Sequence, residues 1–318
     1  MVNINQIKRA KKNLSGLIEK TPVIKSHSLS KIINGEVYLK LESLQQTGSF
    51  KLRGSTNKLL NLSKNEKKIG VVAISTGNHG KGIAHAAKKL GIEATIFMSK
   101  MVPKDRLNSI KNLGAKVKVI GDTSDEAEIE ANDYVKKTKK IMVHPFDDPF
   151  VIAGQGTIGL EMLEQFPKLD TVVVPTSGGG LIGGIALAIK SIKPKVKVIA
   201  VSMKNGASMY NSLKKGYPVD AIEKRTLADS LGGSIGINNK YTFGIVQKYV
   251  DDFVVISEKQ IASGIKFNFE NHKLVSEGAA GTGIVVIRDR LSKYLGKNIM
   301  CLICGANINS ETYAKTIK

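Results

Sequence analysis

Strand-like apolar runs alternate with helical patterns along almost the whole of this 318-residue chain. The runs fall at 37–42, 71–74, 94–98, 117–120, 141–144, 172–175, 196–201, 253–256 and 299–303. Alternation at this spacing calls for right-handed βαβ connections in open parallel sheets, and so for an α/β fold. The runs at 71–74 and 172–175 are apolar at every position, as strands covered on both faces must be. An apolar content of 42% can bury a sizeable core, and the length suits two lobes. No internal repeat, low-complexity segment or long linker marks a boundary between them.

Two of these strands run into glycine-rich turns. STGNHG, at 75–80, follows 71–74 and opens a helix whose apolar positions Ile83, Ala84, Ala87 and Leu90 recur at helical spacing. SGGGL, at 177–181, follows 172–175 and opens the helix 182–190. A strand-turn-helix aims backbone N–H groups and the positive end of a helix dipole at whatever lies above it. Three successive glycines let the backbone approach a phosphate. Either turn alone could equally be a tight connection. A third element joins them: TGSFKLRG, at 47–54, sets Lys51 after a short turn, between the strand 37–42 and a helical run over 53–62. A lysine held there beside Phe50 and away from water is a candidate Schiff-base former. With 42 lysines in the chain, one lysine is ordinarily a surface residue. Together with a carboxylate-sized and a phosphate-sized turn, it describes pyridoxal phosphate holding an amino acid.

The formal charge of +21 does not point to nucleic acid. Only six of the 48 basic residues are arginine, and the lysines are spread over nearly every helix without a dense run interleaved with aromatics. The charge can help to draw in anionic substrates. Residues 1–17 read as an amphipathic surface helix, with Ile4, Ile7, Leu14 and Leu17 between lysines, and lack the apolar core of a secretory signal. The longest apolar run, 181–189, contains two glycines and is too short to span a bilayer. A cytoplasmic protein without membrane partners is the expectation. Cys301 and Cys304 form a C-x-x-C string inside a strand, where residues three apart face opposite ways, and no second thiol pair exists for zinc.

From about residue 20 onward, the chain resembles the fold-type II pyridoxal-phosphate enzymes of the threonine dehydratase and serine racemase family. The resemblance rests on TGSFKLRG, STGNHG, VHPFDDP at 143–149, IAGQGTI at 152–158, SGGGL, LAD at 227–229, EGAAG at 277–281 and CGAN at 304–307. The variants STGNHG, ADSLGG at 228–233 and VSM at 201–203 look nearest to the dehydratase of hydroxyectoine utilisation. The family implies two open twisted parallel-sheet lobes of the tryptophan synthase beta-like kind, with the cofactor in the crevice between them. Residues 1–51 and 148–318 would form the large cofactor-binding lobe, and 52–147 a small mobile lobe. A homodimer is the family expectation. Asn307 lies close to the end of this sequence, and the regulatory domain of biosynthetic threonine dehydratases is not expected.

The same resemblance assigns roles. Lys51 carries the cofactor and serves as the base at the substrate's Cα, and Phe50 packs beside the ring. Ser75, Thr76, Gly77 and Asn78 bind the substrate carboxylate, and Asn78 also meets the ring hydroxyl. His79, taken as the first helical residue, joins that pocket or is a structural histidine. Ser177, Gly178, Gly179, Gly180 and Leu181 hold the phosphate, with Ser177 standing where many relatives have a fourth glycine. Glu277 lines the site. Cys304 occupies the position that meets the pyridine nitrogen, where a thiol is a weaker donor than a hydroxyl and ionises near pH 8–9 (about its ordinary value). A buried small hydrophobe is the alternative for Cys304.

One departure concerns metal. Relatives that bind a divalent cation beside the phosphate loop place carboxylates where this chain has Ser202 and Ser208, and no Asp or Glu occurs over 171–219. A hard cation prefers carboxylates, so no metal site is expected; Lys204 could fill the space. The implied activity is an ammonia-lyase that eliminates water from a 3-hydroxy amino acid. Serine, threonine, 3-hydroxyaspartate and a hydroxyectoine-derived amino acid all suit it. Racemisation of serine is the rival reading, with Thr76 as the acid–base group on the opposite face, although its methyl restricts the rotamer. A non-catalytic cofactor-binding protein is a third, which the intact Lys51 and Asn78 oppose.

Overall fold

The computed structural model describes residues 2–75, 77–100, 102, 104–122, 124–221 and 225–318. Its strands are β1 (Val23–Lys25), β2 (Glu36–Leu41), β3 (Val71–Ile74), β4 (Ala94–Met98), β5 (Lys116–Val119), β6 (Ile141–Met142), β7 (Thr171–Pro175), β8 (Lys197–Met203), β9 (Asp252–Ile256) and β10 (Asn298–Ile303). Six of them form one sheet in the order β1-β2-β10-β7-β8-β9, and four form a second in the order β5-β4-β3-β6. Every pairing is parallel except β1 against β2. The α/β expectation with two parallel sheets therefore holds. Strand β1 is absent from the sequence reading because three residues, one of them exposed, carry no periodic signal.

Each sheet has its own apolar core. Val173, Ile182, Ile199, Ile284 and Ile303 are among the buried residues around the larger sheet, and Val71, Ile83 and Ile96 among those around the smaller. Helix Pro149–Gln165 runs between them, started by Asp148, whose carboxylate accepts from the N–H groups of Phe150 and Val151, and by proline at the first turn. It packs on helix Lys51–Leu60 at a glycine crossing: a Cβ on Gly154 would come within 2.7 Å of the Gly54 Cα. The backbones can approach this closely only because neither residue has a side chain. The N-terminal helix Ile4–Leu14, closed by an Asn3–Gln6 capping box, lays Ile7, Ala10 and Leu14 inward, as its amphipathic pattern implies. Among the described residues no helix is long and apolar enough to cross a membrane.

Strands β3, β7 and β10 all deliver their next residues (Ser75, Thr176 and Cys304) to one place. Open α/β sheets bind ligands outside the carboxyl ends of their strands. Here two sheets contribute such ends to a single cavity.

Candidate active site

That cavity measures about 470 Å³. Its lining includes Phe50, Lys51, Ser75, Gly77, Asn78, His79, Ser177, Gly178, Gly179, Gly180, Leu181, Glu277 and Cys304. Thr76, the remaining candidate, lies outside the described residues.

Lys51 sits at the very start of its helix. The sequence pattern placed Lys51 just after a turn and the helix from 53, whereas the helix is Lys51–Leu60. The turn is completed earlier, by Gly48 at φ 73° and by an isolated bridge from Ser49 to Gly305, so the chain is free to turn helical at once. The Lys51 Nζ donates to the Pro145 carbonyl at 2.8 Å and lies 5.4 Å from the Phe50 ring centroid. Burial pushes its pKa down to about 8, although the Glu277 carboxylate pulls the other way. A part of the amine population is thus neutral and nucleophilic near neutral pH.

Across the cavity, the buried Glu277 organises a polar cluster. The Asn78 amide donates to both of its carboxylate oxygens at 3.0 Å, Ser230 Oγ to one at 2.9 Å and the Asn307 N–H to the other at 3.1 Å. Asn307 in turn donates to Asn78 Oδ1 at 2.6 Å and accepts from Lys81 at 2.9 Å. Burial raises the Glu277 pKa, opposed by the Asn78 and Ser230 hydrogen bonds. Ser230, Asn307 and Lys81 were not singled out as site residues, although Asn307 closes the CGAN motif and could have been.

Asn78, not His79, is the first residue of helix Asn78–Leu90. The expected position of His79 is therefore corrected by one, because Gly77 already serves as the N-cap. His79 Nε2 meets the Val143 carbonyl at 2.9 Å, and burial lowers its pKa to about 3. The imidazole is neutral and donates to that carbonyl. The expected ionisation of Cys304 near pH 8–9 is also overturned: burial first, and the nearby Glu277 second, push its thiol well above the ordinary range.

The phosphate-sized turn is built for close approach. A Cβ on Gly178 would lie 2.3 Å from the Phe146 ring, and Gly179 holds φ 86° as the N-cap of helix Gly180–Ile192. The first intrahelical bond runs from the Gly183 N–H to the Gly179 carbonyl. The N–H groups ahead of it, at the cavity wall, find no protein acceptor among the described residues. Ser177 Oγ donates to the Gly232 carbonyl at 3.3 Å. Ser208 Oγ donates to the Val219 carbonyl and accepts from the Ile235 N–H. A half-buried amine of lowered pKa on one side, and a row of orphan N–H donors at a helix N-terminus on another, fit an aldehyde that bears a phosphate.

Comparison with known proteins agrees with that fit. The model of the family described as pyridoxal-phosphate dependent enzyme matches residues 14–305. The chain is 45% identical to an L-threonine ammonia-lyase of Thermotoga maritima, over 97% of this chain and 76% of that protein. It is 40% identical to a catabolic L-threonine dehydratase of Staphylococcus aureus, over 97% and 90%. Among solved structures, maize serine racemase superposes with a TM-score of 0.94 at 30% identity, covering 99% of this chain and 97% of that one. Threonine deaminase isoform 2 of Solanum lycopersicum gives 0.92 at 32%, covering 98% and 92%. With its cavity lysine of lowered pKa, its donor-lined helix start and a match over most of its length, the chain belongs to the family of pyridoxal-phosphate-dependent enzymes.

Proposed function

We propose that this enzyme is an ammonia-lyase that removes water from a 3-hydroxy amino acid, L-threonine or L-serine in the first instance, and yields a 2-oxo acid and ammonia. The observation that carries the reading is the half-buried Lys51 amine, with its pKa brought to about 8, in one cavity with both glycine turns. Bound there, pyridoxal phosphate supplies the electron sink that makes the substrate's Cα–H removable. The orphan N–H groups at Gly178 to Leu181 would hold the phosphate, and Ser75, Gly77 and Asn78 the substrate carboxylate. Lys51, once displaced from the cofactor, takes the Cα proton at Nζ, for which a pKa near operating pH is the suitable one. The β-hydroxyl leaves as water, and a water returns when the released enamine, as its imine, hydrolyses. The net change is redox-neutral. Phe50 and the buried Asn78–Glu277 cluster line the walls and limit water around the reacting carbon.

The small lobe at 52–147 would close on the large one, and a homodimer is part of the same reading. The motif variants keep the hydroxyectoine-derived amino acid and 3-hydroxyaspartate among the candidate substrates. The likeness to maize serine racemase favours a second reading, racemisation of serine, in which Thr76 would act on the face opposite Lys51. The test is an assay of 2-oxo acid and ammonia across L-threonine, L-serine, 3-hydroxyaspartate and the hydroxyectoine breakdown product, with chiral analysis of the serine reaction. Elimination that vanishes in Lys51→Ala supports the first reading. D-serine accumulating faster than pyruvate would hand priority to the second.

A further inference from the structure

Arg106 and Asp229 meet across the cavity. Arg106 belongs to helix Lys104–Asn112, beside the four-stranded sheet, and Asp229 to the short turn Asp229–Leu231, beside the six-stranded one. Arg106 Nη2 donates to Asp229 Oδ2, and both residues line the 470 Å³ cavity. They also line a second cavity of about 360 Å³, which shares Glu277 and Asn307 with the first. The ion pair therefore stands where the two cavities adjoin.

The other arm of the guanidinium is the informative one. Arg106 Nη1 and Nε have no hydrogen-bond partner among the described residues, and Nη1 lies 4.0 Å from where a Cβ on Gly77 would sit. The free side of the fork thus overhangs the turn expected to hold the substrate's carboxylate. Lys81, on the helix that Gly77 caps, lines the same cavity, and its pKa is lowered by burial first and by the Arg106 charge second. Asp229 is the one carboxylate bonded to Arg106 among the described residues, and an Arg–carboxylate pair that is 28% and 48% exposed is readily exchanged.

We propose that Arg106 is a substrate-binding residue whose guanidinium leaves Asp229 for the carboxylate of the incoming amino acid, with Asp229 holding it in place until then. The planar fork suits a carboxylate bidentately, and a charge-assisted pair in the cavity is stronger than the exposed pair it replaces. The proposal rests on the reading of Ser75 to Asn78 as the carboxylate subsite.

The test is calorimetric titration of the cofactor-loaded enzyme with L-alanine, which has a carboxylate but no β-hydroxyl, and with L-alaninamide, which has none. Wild type should prefer L-alanine. Arg106→Gln should weaken L-alanine binding roughly ten- to a hundredfold while leaving L-alaninamide and the bound-cofactor absorbance unchanged. Asp229→Asn should tighten L-alanine several-fold, because the competitor for Arg106 is gone. Equal losses for both ligands in Arg106→Gln, or no loss, would overturn the proposal, as would weaker or unchanged L-alanine binding in Asp229→Asn. A wild type without preference for L-alanine would instead show that the turn is not the carboxylate subsite, a failure of the underlying reading.

Discussion

Arg53 donates to both carboxylate oxygens of Glu161, Nη1 to Oε1 at 2.6 Å and Nη2 to Oε2 at 2.9 Å, and neither side chain is open to water. Glu42 accepts from the same guanidinium through both of its oxygens, at 2.7 and 2.8 Å, and Lys40 donates to Glu161 at 2.5 Å. Two cations and two carboxylates thus balance in the interior, two residues along the helix from Lys51. They tie that helix to β2 and to helix Pro149–Gln165, and so fix where the lysine stands.

Removing one carboxylate should be costly. Glu161→Ala leaves Arg53 and Lys40 facing Glu42 alone, and an uncompensated buried charge costs about 3–5 kcal/mol. Denaturant unfolding of the variant should show an unfolding free energy lowered by that amount, with the midpoint falling in proportion. A midpoint equal to wild type would mean that the cluster relaxes into water and does not anchor the lysine helix.

A second prediction concerns Lys51 in the protein freed of cofactor. Its amine, with a pKa lowered to about 8 by burial, reacts only when neutral. The rate at which the apoprotein takes up pyridoxal phosphate should therefore rise about tenfold per pH unit well below 8 and level off above it. Stopped-flow absorbance at constant ionic strength reads this directly. A rate still climbing through pH 10 would describe an ordinary, solvated lysine.

How much of this was legible in the sequence depended on the range of the interactions. Strands β3 and β7 were plain because they are buried on both faces and read as unbroken apolar runs, while the three residues of β1 were not. Lys51 and both glycine turns stood out because each is a local pattern. The start of the lysine helix was misplaced by two residues, since it is set by a bridge between Ser49 and Gly305. The cluster around Glu277 joins Asn78 to a residue 199 positions away; Ser230 and Asn307 lie within motifs the sequence shows, but their bonds to Glu277 emerge only in the fold. Pairs such as Arg53 with Glu161 carry no periodic trace at all.

His79 gives a prediction in acid. Its folded pKa of about 3 lies below the ordinary 6.5, so between those values the unfolded chain binds more protons than the folded one. Stability is present above about 6.5 and is lost as pH falls through that window, by at most about 1.4 kcal/mol per pH unit for one group. His272, lowered to about 4 by burial, adds to the same slope. Denaturant midpoints from pH 7 to 4 should fall less steeply in His79→Gln, which can keep the bond to Val143, than in wild type. Parallel curves would show that His79 takes up its proton equally readily in the folded and unfolded chain.

Metal dependence is the next prediction. Ser208 is committed to the Val219 carbonyl and the Ile235 N–H, and the stretch 171–219 has no carboxylate to offer. Initial rates with EDTA, and then with added magnesium, should match the untreated rate. A large loss restored by magnesium would mean that ligands arrive from elsewhere in the fold.

Cys304 tests how the cofactor ring is met. The thiol is 2% exposed and its pKa lies well above the ordinary range because of burial, so across the working range it is a neutral, weak donor. Serine has nearly the same shape and a stronger donor. If this side chain faces the ring nitrogen, Cys304→Ser should raise kcat by up to about tenfold, the worth of one improved hydrogen bond. Cys304→Ala, which offers no donor, should lower kcat. Both variants should also shift the visible absorption of the bound cofactor, which a packing change remote from the ring would leave in place. Equal kcat and identical spectra for cysteine, serine and alanine would reduce Cys304 to a small buried apolar residue at the end of β10.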